Sequence, residues 1–262
     1  MLNILVCVKQ IPDVEQLRMD PSTGALIREG VPSILNPLDA NALAAAISVK
    51  ERCPSEVTVI TMGPPAAEAA LRECLAMGAD KAVLATDRAF SGSDTLATSL
   101  TIALAAAETG KYDLIFCGRE TIDGATGQMG PQLAERFNAA QITGALRILS
   151  IDESAGRIVA ERRADGGVET LSASLPCLLS IEKDNYPAII PSLKNKLRSK
   201  KLPVPVLTSK DIPGLEVSMT GDMGSPTKVP RMYPPELPEA GVMLDAVNLA
   251  EAAAEIAGLL EV

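Results

Sequence analysis

The chain has no histidine and no tryptophan among its 262 residues, and only three Phe and three Tyr. Without histidine, Ser-His-Asp and Cys-His nucleophile systems and imidazole metal ligands are excluded. The usual general acid–base side chain is excluded as well. Scarce aromatics leave few stacking platforms for single-stranded nucleic acid. Positive charge is also short: 24 Lys and Arg stand against 33 Asp and Glu, a net charge of −9 that argues against a nucleic-acid partner. No apolar run approaches the roughly 18 residues of a membrane span. The N-terminus, MLNILVCVKQIPD, lacks a basic n-region and a cleavage site, so it is predicted to be a first strand and not a signal peptide. The five cysteines (Cys7, Cys53, Cys74, Cys117, Cys177) are scattered and contain no CxxC pair, which predicts a reducing, cytoplasmic setting. The side chains themselves are therefore expected to do little covalent chemistry.

What is present is the composition of a globular protein, 47% apolar and 22% charged. Leu2–Val8, Val57–Thr61, Lys81–Ala85 and Tyr112–Phe116 are short continuous apolar runs, the pattern of strands buried on both faces. Helical stretches alternate with them. Ala40–Arg52 follows Asn36-Pro37-Leu38-Asp39, with Asn36 or Asp39 as cap; Ala66–Met77 ends at Gly78; Asp94–Glu108 ends before Gly110; Gln128–Phe137 comes last. Residues 9–35 read as irregular, with a turn at Asp20–Gly24 and a small hairpin. Strand–helix alternation over about 137 residues predicts a doubly wound, mostly parallel α/β sheet with helices on both faces. Ligands bind such sheets where the strand order reverses. With the order 3-2-1-4, Cys7–Gln10 faces Cys117–Thr126 across that crevice.

Two loops at that edge carry chemistry. CGRETIDGATGQMGPQLAERF at 117–137 runs from a strand into a helix through Gly118, Gly124 and Gly127, with Asp123 and Thr126 between them. Unpaired N–H groups and a positive helix end there suit a nucleotide phosphate, with Asp123 accepting from ribose or adenine and Gln128 donating to a phosphate. The same residues also serve as an ordinary helix entry, since neither GxGxxG nor a Walker sequence is present. DRAFSGSDTLATS at 87–99 is the second loop: Ser93 and Asp94 read as helix caps, and Thr95, Thr98 and Ser99 as hydroxyls near a diphosphate. Two helix starts along one edge suit a dinucleotide.

Beyond Phe137 the pattern alternates. Ala145–Ile151, Arg157–Arg163 and Val168–Ala173 predict an antiparallel meander, and Pro176–Ile181 an apolar return strand. Residues 194–201 hold Lys194, Lys196, Arg198, Lys200 and Lys201 around Leu193 and Leu197, the composition of either a solvated face or a docking patch for an acidic partner. Prolines recur from 202 to 241, predicting an extended arm, and Asp245–Leu260 predicts an amphipathic helix. The expected division is a nucleotide-binding domain over 1–201, with its antiparallel extension at about 145–182, and a partner-clamping arm over 202–262.

Several of these segments together resemble the small (beta) subunit of electron transfer flavoprotein: NPLDANAL at 36–43, LRECLAMGADKA at 71–82, CGRETIDGATGQMGPQLAE at 117–135, the LP of 175–176 and MGSPTKV at 223–229. The resemblance covers nearly the whole chain. It implies an adenine-nucleotide alpha hydrolase-like sheet, an alpha subunit carrying a redox-active FAD, and an arm that embraces that partner. It also implies a nucleotide contacted by Cys7, Asn36, Asp39, Met62, Asp123, Gly124, Thr126, Gly127, Gln128 and Met129. The 87–99 loop resembles the electron-bifurcating branch and the neighbouring FixA-like branch, which carries Arg88, Asp94, Thr95 and Thr98 over as holders of a flavin diphosphate.

The bifurcating form implies FAD in this chain, NADH as electron donor and NADH-oxidising activity in the heterodimer. Its electrons pass to an acyl-CoA-type or other flavin dehydrogenase and to ferredoxin or flavodoxin. Housekeeping forms imply AMP in the same place and a non-catalytic subunit; a homodimeric adenylate-sensing module is the reading from another class. One departure stands out. The family's Asn-Glu-Pro-Arg turn before the docking leucine is replaced here by DNYPAIIPSL at 184–193.

Overall fold

The computed structural model describes residues 1–13, 18–19, 26–27, 30–183, 185–228, 230 and 248–260. The predicted turn at Asp20–Gly24, Asp184, and the stretch of predicted arm at 231–247 lie outside them. One sheet contains β1 (Leu2–Cys7), β2 (Ser55–Met62), β3 (Lys81–Ala85), β4 (Leu114–Gly118), β5 (Ala140–Asp152), β6 (Arg157–Ala164), β7 (Gly167–Ser174), β8 (Cys177–Ile181) and β9 (Val206–Leu207). The α-helices are α1 (Pro37–Arg52), α2 (Glu68–Met77), α3 (Thr95–Ala107), α4 (Met129–Arg136), α5 (Leu193–Ser199), the short α6 (Gly221–Gly224) and α7 (Leu249–Leu260).

The strand order is β7-β6-β5-β8-β4-β1-β2-β3-β9. From β5 through to β3 every neighbour is parallel, and β9 joins β3 in parallel as well. Only β5–β6 and β6–β7 are antiparallel. The predicted 3-2-1-4 core is therefore present, and the order reverses between β1 and β4. Alternate residues of each central strand feed opposite layers. Ile4, Val6, Leu114 and Phe116 pack with α1 and α2, while Leu5, Cys7, Ile115 and Cys117 pack with α3 and α4. That period of two is what a doubly wound sheet requires.

The return strand differs from a simple meander. β8 is inserted between β4 and β5, parallel to both, and all five of its residues are buried. An all-apolar strand gains most where helices cover both faces, so CLLSI takes the interior place. The alternating β5, β6 and β7 extend outward, where one face meets water. In the irregular stretch, Gln10–Pro12 pairs antiparallel with Ser33–Leu35, and Arg18–Met19 with Leu26–Ile27.

Residues beyond 202 begin as an extended chain lying along the body. Val206–Leu207 adds to the sheet edge, and Ile212 and Leu215 are buried against the α3 layer. Among the described residues no helix is long and apolar enough to cross a membrane.

Candidate functional site: a cavity at the sheet's reversal point

Helix α1 begins directly beneath the reversal point. Asn36 is its N-cap by position, yet its side chain makes no cap hydrogen bond among the described residues. Its amide instead ties down the 118–128 loop: Nδ2 donates to the Glu120 carbonyl at 3.0 Å and Oδ1 accepts from Ile122 N at 3.4 Å. Asp39, the other predicted cap, accepts from Lys9 N at 2.8 Å and Gly118 N at 3.0 Å. One buried carboxyl thus clamps the ends of β1 and β4 together. Burial pushes it up from 3.8 to about 7, against the lowering effect of Asn36, the two backbone donors and the Lys9 charge. The approach is close enough to need glycine: a Cβ at Gly118 would lie 2.6 Å from Asp39 Oδ1 and 2.8 Å from the Leu38 carbonyl carbon.

Above this clamp lies a cavity of about 490 Å³. Cys7, Asp39 and Met62 line its floor; Gly124, Thr126, Gly127, Gln128 and Met129 line one wall; Asp94, Thr95 and Thr98 line the other. The sequence-predicted residues are brought together except for four. Ser99 is fully buried in α3, its hydroxyl donating to the Leu96 carbonyl at 2.9 Å. Asn36 is fully buried behind the loop it anchors. Asp123 sits at the rim, 2.7 Å from Lys9 Nζ, and Arg88 is exposed on a 3₁₀ turn at Arg88–Phe90, away from the described lining. Lys9, Cys117, Arg119 and Thr227 line the cavity without having been singled out. Lys9 and Cys117 were legible as the ends of facing strands. Thr227 was not, because it arrives from the far end of the chain.

The two walls differ electrostatically. At α4 the chain turns through Ala125 and Gly127, with φ of 47° and 62°, into the helix start. At α3 the Asp94 carboxylate already occupies the helix end, accepting from Ala97 N at 3.1 Å and Thr227 N at 3.0 Å. Partial burial pushes its pKa up, but these donors prevail and hold it below the ordinary carboxylate value. Phosphate oxygens are thus better received at the α4 start and by the Thr95 and Thr98 hydroxyls than by the α3 end itself. The walls also touch: Thr95 Oγ1 donates to Gln128 Oε1 at 2.8 Å and accepts from Gln132 Nε2 at 3.2 Å. Gln132 Oε1 is buried without a partner among the described residues. Asp123 is lowered: half-burial pushes it up, and the Lys9 ammonium and Thr121 hydroxyl more than offset that. The lining thiols Cys7 and Cys117 are pushed up by burial and remain protonated. The described residues hold no cluster of three or more metal-ligating side chains.

The comparisons with known proteins agree with this architecture. Residues 23–212 match the family model described as electron transfer flavoprotein domain. The chain is 41% identical to protein FixA of Azorhizobium caulinodans, covering 99% of this chain and 94% of that protein. It is 42% identical to the caffeyl-CoA reductase-Etf complex subunit CarD of Acetobacterium woodii, covering 99% and 98%. Electron transfer flavoprotein subunit beta of Thermoanaerobacterium thermosaccharolyticum is 44% identical, covering 96% and 95%. The chain belongs to the electron transfer flavoprotein family, among its beta-subunit-like electron transfer proteins.

Proposed function

We propose that this chain holds FAD in the reversal-point cavity, pairs with an alpha-type subunit, and takes part in NADH-dependent electron bifurcation. The observation that carries this reading is a single cavity bounded by two walls, each starting a helix and each offering hydroxyl or backbone donors. One wall suffices for a monophosphate; two favour a dinucleotide laid between them. The resident groups fit such a ligand. Gly124–Met129 receives phosphate oxygens, and Asp123 and Asp94 accept from ribose or ribityl hydroxyls. When bound, a flavin supplies hydride acceptance and one-electron transfer. The chain's residues bind and orient it: the Asp39 clamp fixes the floor, and entry separates Thr95 from Gln128.

The relative CarD, a subunit of a caffeyl-CoA reductase-Etf complex, supports a partnered subunit here. In this reading the complex passes electrons to a dehydrogenase and to ferredoxin or flavodoxin. The docking patch agrees: Ile190, Leu193 and Leu197 are 93%, 74% and 55% exposed. Lys194, Lys196, Lys200 and Lys201 surround the two leucines in sequence, a composition suited to an acidic dehydrogenase surface. The reading is tested by co-purifying the complex, releasing its nucleotides and counting flavin. Two FAD per heterodimer is the expected result. One FAD with AMP overturns it in favour of a carrier subunit with structural AMP, and a partner-free homodimer in favour of an adenylate sensor.

A further inference from the structure

We propose that residues 220–227 form a strap that builds the α3 wall of the cavity, with Ser225 as the positioning residue for Asp94. This rests on the reading of the cavity as a dinucleotide site and adds a device to it. The strap is seated, and its polar groups are buried: Thr220 is 1% and Ser225 3% exposed. Its bonds run to the loop before α3 across more than 125 positions of sequence. Gly221 N donates to Ser93 Oγ at 2.9 Å, and the Thr220 hydroxyl shares its one proton between the Ala89 carbonyl at 3.1 Å and the Val217 carbonyl at 2.9 Å. Ser225 Oγ accepts from Asp94 N at 2.8 Å while donating to the Gly221 carbonyl at 2.6 Å. Asp94 then holds Thr227 N, and Thr227 itself lines the cavity.

Two glycines make the seat close-fitting. A Cβ at Gly221, where φ is 58°, would overlap the Ala89 carbonyl oxygen; one at Gly92, where φ is 79°, would overlap the Asp222 carboxylate. The Ser225 hydroxyl acts as both donor and acceptor where water does not reach, so alanine there leaves the Asp94 amide without its acceptor. Asp94 then loses the backbone placement that aims its carboxylate at Ala97 and Thr227. The strap lies within the predicted arm, so seating this part of the arm and shaping the α3 wall are one event. By linkage, nucleotide occupancy and strap seating favour each other.

The test uses the full chain with its co-purified partner, and compares loss of bound FAD with loss of AMP loaded in its place. In Ser225→Ala, FAD is expected to leave about tenfold faster, the size of one lost buried hydrogen bond. AMP, held by the α4 wall, is expected to leave within about twofold of the parent rate. Unchanged FAD loss, or equal acceleration of both ligands, overturns the proposal, since general destabilisation does not discriminate between them. Gly221→Ala is the second variant and is expected to show the same contrast. If the parent retains neither ligand, the cavity reading fails and the strap is judged by hydrogen exchange alone. Ser225→Ala must then speed exchange at Asp94 and Ala97 together with Thr227; acceleration confined to 225–227 overturns it.

Discussion

At the residue scale, the arrangement turns on Asp39. Its two backbone donors join β1 to β4, and its burial makes ionisation costly. With a folded value of about 7 against 3.8 unfolded, the native state binds a proton that the unfolded chain has released between about pH 4 and 7. This group's contribution to stability is therefore full below about pH 4 and is lost as pH rises through 7, by on the order of 4 kcal/mol. Asp39→Asn cannot ionise and turns one acceptor into a donor facing an N–H. The stability gap between parent and variant should narrow as pH rises from 5 to 7.5, measured by denaturant titration at each pH; a gap independent of pH refutes the assignment. Gly118→Ala drives a methyl into the same clamp and should cost about 1–3 kcal/mol, read as a lower midpoint with unchanged m-value. Lys9→Met removes a partly exposed ion pair to Asp123, and the expected loss is only about 0.2–1 kcal/mol, shrinking with added salt.

At the element scale, helix starts do different work although they look alike in sequence. The start of α4 is built from exposed loop with two left-handed residues, whereas the start of α3 is capped by its own aspartate and buttressed by the strap. Gly127→Val places a β-branched residue at φ of 62° and is expected to empty the cavity while leaving far-ultraviolet circular dichroism unchanged. Released-nucleotide analysis reads the outcome; undiminished content would dissociate this loop from binding. Helix α5 behaves oppositely. Leu193 is 74% exposed, so Leu193→Ala should move the thermal midpoint by less than the equivalent of about 0.5 kcal/mol. Electron transfer to an acidic dehydrogenase should nevertheless slow severalfold, and an unchanged rate would remove α5 from the docking surface.

At the scale of the whole molecule, stability is graded across the sheet. β1, β4 and β8 lie inside it under helices on both faces, while β7 and β9 are its edges. Amide exchange should be slowest in Leu5, Ile115 and Leu178 and fastest in β7, where most residues are exposed. Much of this was legible in the amino-acid order. Apolar runs of five to seven residues separated by capped helical stretches specify a parallel sheet, and the chain order of four such runs places the reversal point at Cys7 and Cys117. Gly118 marks where the backbone must approach closely, and Gly127 where the chain needs a positive φ. What tertiary structure alone decided involves partners distant in sequence. Asn36 and Asp39, read as local caps, bond to loops roughly 80 residues away, and Asp39 also reaches back to Lys9. CLLSI enters the sheet two places inward because burial on both faces outweighs proximity along the chain. Thr227 reaches the cavity because Ser225 and Gly221 find their hydrogen bonds beside α3. Local sequence sets period and caps, since those depend on neighbours a few residues apart. Which buried donor meets which acceptor depends on how the layers close, and only the folded chain brings those atoms together.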